Sequence, residues 1–158
     1  MPSQPDLLLV TGIPGTGKTC YGEKFAEEFG FLHYDLEEPQ TFSRFAANPM
    51  QFIANALSQH KNIVVTWGFV PDNQPSVAAV LQFRNSGFKL IWFDGNRQAA
   101  LEQFQKRGTV PDALFELQMK RIEDSKIIDR LAPAVVDPFD DRGQFKPPQQ
   151  LLAEIRRA

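Results

Sequence analysis

The run Gly12-Ile13-Pro14-Gly15-Thr16-Gly17-Lys18-Thr19 sets glycines, a lysine and a hydroxyl at the spacing G-x-x-x-x-G-K-[ST]. That is the pattern of a loop that wraps phosphates in backbone N–H groups. Glycine at positions 12, 15 and 17 removes side chains where anionic oxygens must approach, and it permits positive φ. The loop opens onto a predicted helix, whose N-terminal N–H groups and dipole attract anions. Lys18 would bridge the β- and γ-phosphates of a nucleoside triphosphate, and the Thr19 hydroxyl would ligate Mg²⁺. The phosphate-binding segment so read comprises Gly12, Ile13, Pro14, Gly15, Thr16, Gly17, Lys18, Thr19 and Cys20. ATP and Mg²⁺ are the cofactors it implies.

Other residues become candidates by position. Asp35 ends a short apolar run, where an acid could accept the proton of an acceptor hydroxyl or hold a Mg²⁺-bound water. An aspartate there could equally be a turn former. Arg107 and Arg121 flank a segment that could fold over a nucleotide, and a guanidinium suits phosphate oxygens and adenine faces. Arg44 could hold an anionic acceptor or sit on a solvated helix face. Trp67 could stack on a flat acceptor or pack into the helix layer. Glu37 and Glu38 read as solvated, with a functional role left open for Glu37, and Asp94 reads as turn chemistry. His33 and His60 lack partners at metal-ligand spacing and read as structural. Cys20 reads as an inert thiol in the first helical turn.

These residues need elements to position them. Apolar runs at Asp6–Thr11, Phe31–Tyr34, Asn62–Thr66, Phe88–Phe93 and Ala134–Val136 read as strands. Between them lie helical patterns: Gly17–Phe29, Thr41–Ala47, Pro49–His60, Gln74–Asn85, Arg97–Arg107 and Pro111–Leu131. Pro147 and Pro148 mark the start of a last helix. Strands alternating with helices predict an α/β fold with a parallel sheet covered on both faces. Ligands in such sheets bind beyond the carboxyl ends of the strands. The functional residues should therefore follow Val10, Tyr34, Thr66 and Phe93.

The 158 residues suit one domain, residues 1–158, with a sizeable core. Hydrophobic and charged shares of 42% and 23% are those of a globular protein that needs no membrane. A net charge of −2 does not favour a broad nucleic-acid surface. One cysteine forms no internal disulfide and suits a reducing cytoplasm, the expected location. No run approaches membrane-spanning length, and the N-terminus lacks the regions of a signal peptide.

With these residues in place, the chain resembles the small P-loop kinases of the nucleoside-monophosphate, shikimate and gluconate kinase group. Gly12–Thr19 matches the phosphate loop. Phe31–Asp35 resembles the second strand with its terminal acid. Leu90–Asp94 and Ala99–Gly108 resemble the strand and helix that lead into a lid. Lys106-Arg107-Gly108 and Lys120-Arg121-Ile122 are similar to the two ends of that lid. The resemblance implies a three-layer α/β/α P-loop fold with a five-stranded parallel sheet in the order 2-3-1-4-5. It also implies an acceptor bound by the helices of residues 36–60, and a short lid over residues 107–125. There are departures. Ile63-Val64-Val65-Thr66 carries no acid on the third strand, which throws the Mg²⁺ shell onto Thr19 and Asp35. Gly68-Phe69-Val70-Pro71 lacks the arginine that nucleoside-monophosphate kinases place there.

The resulting expectation is Mg-ATP-dependent phosphoryl transfer to a small-molecule acceptor, a hydroxyl or a phosphate. Lys18, Asp35, Arg107 and Arg121 are the catalytic set. Asp35, Arg44 and Trp67 form the acceptor site, and Thr19 is the metal ligand. A nucleotide-binding regulator or weak ATPase is the alternative, favoured by the missing acid on the third strand. A polynucleotide 5′-hydroxyl kinase would need a basic entrance that the net charge does not favour. Oligomeric state and acceptor identity are not readable.

Overall fold

The computed structural model describes residues 4–108 and 111–158. Five strands form one all-parallel sheet: β1 Leu7–Gly12, β2 Leu32–Asp35, β3 Ile63–Thr66, β4 Lys89–Phe93 and β5 Ala134–Val136. Their order is β2-β3-β1-β4-β5, as the resemblance implies. Asp35 pairs with Thr66, Val10 with Thr66, and Gly12 with Phe93. The carboxyl ends of four strands therefore open onto one crevice.

Side chains alternate across this sheet, and both faces are covered. Leu8, Val10, Val64, Ile91 and Phe93 pack against Tyr21 and Phe25 of α1 (Lys18–Phe29) and Leu151, Leu152 and Ile155 of α8 (Pro148–Arg157). Leu9, Val65 and Trp92 face the other layer. That layer holds α2 (Pro39–Ala47), α3 (Pro49–Leu57), α4 (Gln74–Asn85), α5 (Arg97–Lys106), α6 (Asp112–Ser125) and α7 (Ile127–Leu131). Burial on both faces is why the strands read as continuous apolar runs rather than as alternating ones.

The helices differ from the sequence pattern in three places, one of them the end of α3, which stops at Leu57 rather than at His60. The single helical run expected over Pro111–Leu131 is broken at Lys126, whose φ of 53° ends α6 and begins α7. The α2 helix begins at Pro39, two residues before the expected start. The Glu38 carboxylate accepts from the N–H groups of Gln40 and Thr41, and proline at the first position needs no N–H partner. Thr109, inside the expected lid, lies outside the described residues. Among the described residues, no helix is long and apolar enough to cross a membrane.

Candidate active site

The chain leaves β1 at Gly12 and turns through the phosphate loop into α1. Two glycines are fixed here by packing. A Cβ on Gly12 would lie 2.3 Å from the Phe93 carbonyl oxygen. One on Gly15 would lie 2.0 Å from the carbonyl oxygen of Ala100, in α5. Their φ values of 131° and 78° also exclude ordinary side chains. Gly15 thus seats α5 directly on the loop, a constraint separate from phosphate approach. Thr16 is fully buried and donates to the Ile13 carbonyl at 2.9 Å, closing the loop on itself. The α1 helix has no side-chain N-cap and no acid in its first turn, which leaves its N-terminal N–H groups for an anion.

Lys18 Nζ donates to the Ile13 carbonyl at 2.9 Å, and the Gly12 carbonyl lies 3.5 Å away. Burial pushes its pKa down to about 8. The positive charge of Arg107 adds to that shift, while Glu37 and Asp35 oppose it. Arg107, some 90 positions later in sequence (107 − 18 = 89), is therefore an electrostatic neighbour of the loop lysine.

Asp35 occupies the strand end beside the loop. Its Oδ2 accepts from the Thr19 hydroxyl at 3.2 Å, and its Oδ1 accepts from the Thr66 hydroxyl at 3.2 Å. Oδ1 also accepts from the Glu37 backbone N–H at 3.0 Å. His33 Nε2 lies 2.8 Å from the Thr66 hydroxyl. Because Thr66 gives its only proton to Asp35, His33 donates here as the Nε2–H tautomer. Burial lowers the His33 pKa, which keeps that ring neutral near pH 7. The β3 strand ends in a threonine where an acid was looked for, and this threonine orients an acid on β2. His33, read as structural from sequence, belongs to this network.

A cavity of about 490 Å³ opens at the loop mouth. Lys18 and Thr19 line it from α1, with Glu37 from the β2–α2 loop. The β3–α4 loop contributes Gly68 to Pro71, and Trp92 comes from β4. Phe104 and Arg107 arrive from the end of α5, and Gln118, Arg121 and Ile122 from α6. Arg107 and Arg121 are exposed there, and neither makes an ion pair among the described residues. The Glu37 carboxylate spans the crevice to accept from the Gly68 N–H. Lys18, Thr19, Arg107 and Arg121 thus meet at one place, with Asp35 held against Thr19.

Arg44 and Trp67 do not join them. Arg44 is exposed on α2 and does not line the cavity. Trp67 is 6% exposed, packed on Phe42, Phe45 and Phe69. Phe45 in turn stacks on Phe83 at 5.4 Å, and Phe52 packs edge-on to Tyr34. Each such pair adds about 1 kcal/mol beyond its buried area. Aromatic rings fill the space between α2–α3 and the sheet, so the cavity opens toward α5 and α6 instead. From residues 36–60, Glu37 alone among the described residues lines it.

Glu37, favoured as solvated from sequence, and Trp92, Phe104 and Gln118, not singled out there, all line the cavity. Glu37 carries a usable signal: it lies in the turn directly after β2, at the strand end where a ligand is expected. Nothing local marks the other three.

The donor set suits Mg²⁺. A hydroxyl and a carboxylate are hard oxygen ligands, and this ion takes one or two of them while phosphates and water complete its shell. No cluster of three or more His, Cys, Asp or Glu side chains that could hold a metal occurs among the described residues.

No known family's sequence profile matches the chain, and no curated protein matches it in sequence. Solved structures do. A gluconokinase from Sinorhizobium meliloti 1021 superposes with a TM-score of 0.56 at 18% identity, covering 98% of this chain and 91% of its own. A shikimate kinase from Acinetobacter baumannii, in complex with shikimate, gives 0.59 at 16% identity, covering 97% and 94%. A shikimate kinase from Aquifex aeolicus gives 0.58 at 17% identity, covering 95% and 94%. These neighbours are small P-loop kinases, and at such identities the shared property is the fold.

Proposed function

We propose that this protein transfers the γ-phosphoryl group of Mg-ATP to a small-molecule acceptor. The observation that carries the reading is the convergence of Lys18, Arg107, Arg121 and Glu37 on one cavity at the mouth of a phosphate loop. The loop N–H groups and the free N-terminus of α1 bind the phosphates. Thr19, with Asp35 behind it, would hold Mg²⁺, which neutralises charge on the β- and γ-phosphates when bound. Lys18 exchanges its carbonyl partners in the loop for phosphate oxygens. Arg107 and Arg121 neutralise charge on the transferring group from the α5–α6 side. Glu37 orients the acceptor hydroxyl and takes its proton. The hydroxyl oxygen bonds to the γ-phosphorus as the bond from that phosphorus to the β,γ-bridging oxygen breaks, and ADP leaves with the electron pair. Positioning and electrostatics supply most of the rate.

The regulator reading rested on a missing acid. Asp35, 3.2 Å from the Thr19 hydroxyl, would serve in place of that acid, which takes away the support of the regulator reading. A small cavity with an apolar wall also supports a small-molecule acceptor over a polynucleotide.

The test is acceptor discovery. Purified protein is incubated with Mg-ATP and a metabolite extract, and mass spectrometry seeks species heavier by one phosphoryl group. A product made by the unmutated protein and not by Lys18→Ala is the expected result. Release of inorganic phosphate without any such product would refute the kinase reading.

A further inference from the structure

Asp35 and Thr19 stand at the place proposed for Mg²⁺, and neither side chain is held alone. The Thr66 hydroxyl, on a fully buried residue, lies 3.2 Å from Asp35 Oδ1 and 2.8 Å from His33 Nε2. A hydroxyl has one proton and a carboxylate has none. Both contacts are therefore hydrogen bonds only when Thr66 donates to Asp35 and His33 donates to Thr66. The Thr19 hydroxyl likewise gives its proton to Asp35 Oδ2, at 3.2 Å, which leaves its lone pairs for a metal. Every hydroxyl and imidazole proton in the row His33–Thr66–Asp35–Thr19 thus points toward the carboxylate.

The other ring tautomer would undo this order. With Nε2 bare, the imidazole would take the Thr66 proton, and Thr66 would turn a lone pair toward Asp35. Oδ1 would then keep one donor, the Glu37 backbone N–H at 3.0 Å.

The α1 helix makes room for the ring. Gly22 is buried within α1, although glycine is a poor residue for a helix interior. A Cβ there would lie 2.4 Å from His33 Nε2 and 2.7 Å from each of the two ring carbons bonded to it. Any other residue at position 22 would have to displace the imidazole that reaches Thr66. Helix propensity gives no reason for a glycine here, and the ring does.

We infer that His33 is a positioning residue of the metal site: its Nε2–H, seated against Gly22, fixes the Thr66 hydroxyl on Asp35 and so sets Asp35 and Thr19 for Mg²⁺. The inference rests on the reading of Thr19 and Asp35 as the Mg²⁺ site of the proposed kinase, and it does not depend on the acceptor. It also gives the acid-free third strand a part in that site, because Thr66 serves Asp35 rather than the metal.

The test reads the ring and the metal separately. The chain has two histidines, so proton–nitrogen spectra of the imidazoles contain two ring patterns, and His33→Gln identifies one of them. His33 should carry a proton on Nε2 in the free protein. Mg²⁺ titrations with a fluorescent ATP analogue then compare variants. Thr66→Val and His33→Leu should each raise the Mg²⁺ concentration for half-maximal binding about tenfold. The double variant should go no further than Thr66→Val alone, because the two side chains act along one path. Gly22→Ala, which favours the helix and crowds the ring, should raise it as well. His33→Gln, whose amide can donate in place of Nε2–H, should stay within about threefold of the unmutated protein. Binding of metal-free nucleotide should change by less than about twofold throughout. A bare Nε2 would overturn the inference, and so would an unchanged Mg²⁺ requirement in Thr66→Val or His33→Leu. Additive effects in the double variant, or a parallel loss of metal-free nucleotide binding, would make the two residues merely structural and overturn it too. An unchanged requirement beside a phosphorylated product from the extract would leave the kinase reading standing. Nucleotide binding by the unmutated protein that ignores Mg²⁺ would overturn the inference and the metal site together.

Discussion

On the phosphate side of the cavity, Thr16, Lys18, Thr19, Thr66 and Asp35 are each held by directed hydrogen bonds of 2.9 to 3.2 Å. On the α5–α6 side, proposed to receive the acceptor, Arg107 and Arg121 are exposed and free of ion pairs among the described residues, beside apolar side chains. The first side is arranged before any ligand arrives, and its groups have little to reorganise during transfer. The second holds its charges ready for a ligand and recognises shape. Phosphates are the same in every reaction of this type, so rigid donors suit them. Acceptors differ, and they are read by the side whose residues come from scattered segments.

The strongest way to break this division is Lys18→Ala. Loss of a charge aimed at the transferring phosphoryl should lower turnover about 10³-fold. The KM for the acceptor should stay within about twofold, because the α5–α6 side of the cavity does not depend on the ammonium. A rise in KM together with the loss of turnover would show that the two sides form one unit.

Asp35→Asn probes the phosphate side more finely. The amide still fills the space between Thr19 and Thr66 but carries no charge. The Mg²⁺ concentration for half-maximal nucleotide binding should rise about 10- to 100-fold. Binding of metal-free nucleotide should change little. A Mg²⁺ titration with a fluorescent ATP analogue measures both, and an unchanged Mg²⁺ requirement would remove Asp35 from the metal's surroundings.

The same division explains what the sequence made legible. Gly12 to Cys20 are contiguous, so spacing alone defines the phosphate loop. The strand-end rule then places Asp35 beside it. The alternation of elements, five strands and their helical layers, could likewise be read from apolar runs. The proposed acceptor side joins residues from five separate segments, and no local pattern says that Glu37 and Arg121 line one cavity. Arg107 and Arg121 could be nominated because each flanks one segment. Trp67 shows the converse case. An aromatic at a strand end reads as a stacking platform, yet here the rings pack on one another and fill the region expected to hold the acceptor.

Arg107 couples the two sides, and pH exposes the coupling. On the proposed reading Lys18 binds phosphate as the ammonium, and burial lowers its pKa to about 8. Nucleotide affinity should therefore be constant at lower pH and fall as pH rises through 8. One unit above that value the dissociation constant should be about tenfold higher. Because the Arg107 charge is one cause of the low value, Arg107→Ala should move the onset to higher pH. Calorimetric titrations at several pH values would show it. An onset unchanged in Arg107→Ala would mean that the two sides are electrostatically independent.

The smallest effect is expected outside both sides, at Arg44. It is a cation within the helices of residues 36–60 and so a natural candidate for an anionic acceptor. The structure places it on the exposed face of α2. Its nearest electrostatic role is a minor one, lowering the pKa of the exposed Glu38 carboxylate, whose main partner is the Thr41 hydroxyl. Surface substitutions of this kind usually change stability by less than about 0.5 kcal/mol. Arg44→Ala should accordingly leave KM for the acceptor and kcat within about twofold, while Arg121→Ala lowers kcat at least about tenfold through loss of charge on the transferring group and raises KM about tenfold through loss of a charge-assisted contact. Steady-state kinetics on the two variants side by side decide the matter. If Arg44→Ala raised KM as much as Arg121→Ala, the acceptor would have to reach across α2. The division between a phosphate side and an α5–α6 acceptor side would then be drawn in the wrong place.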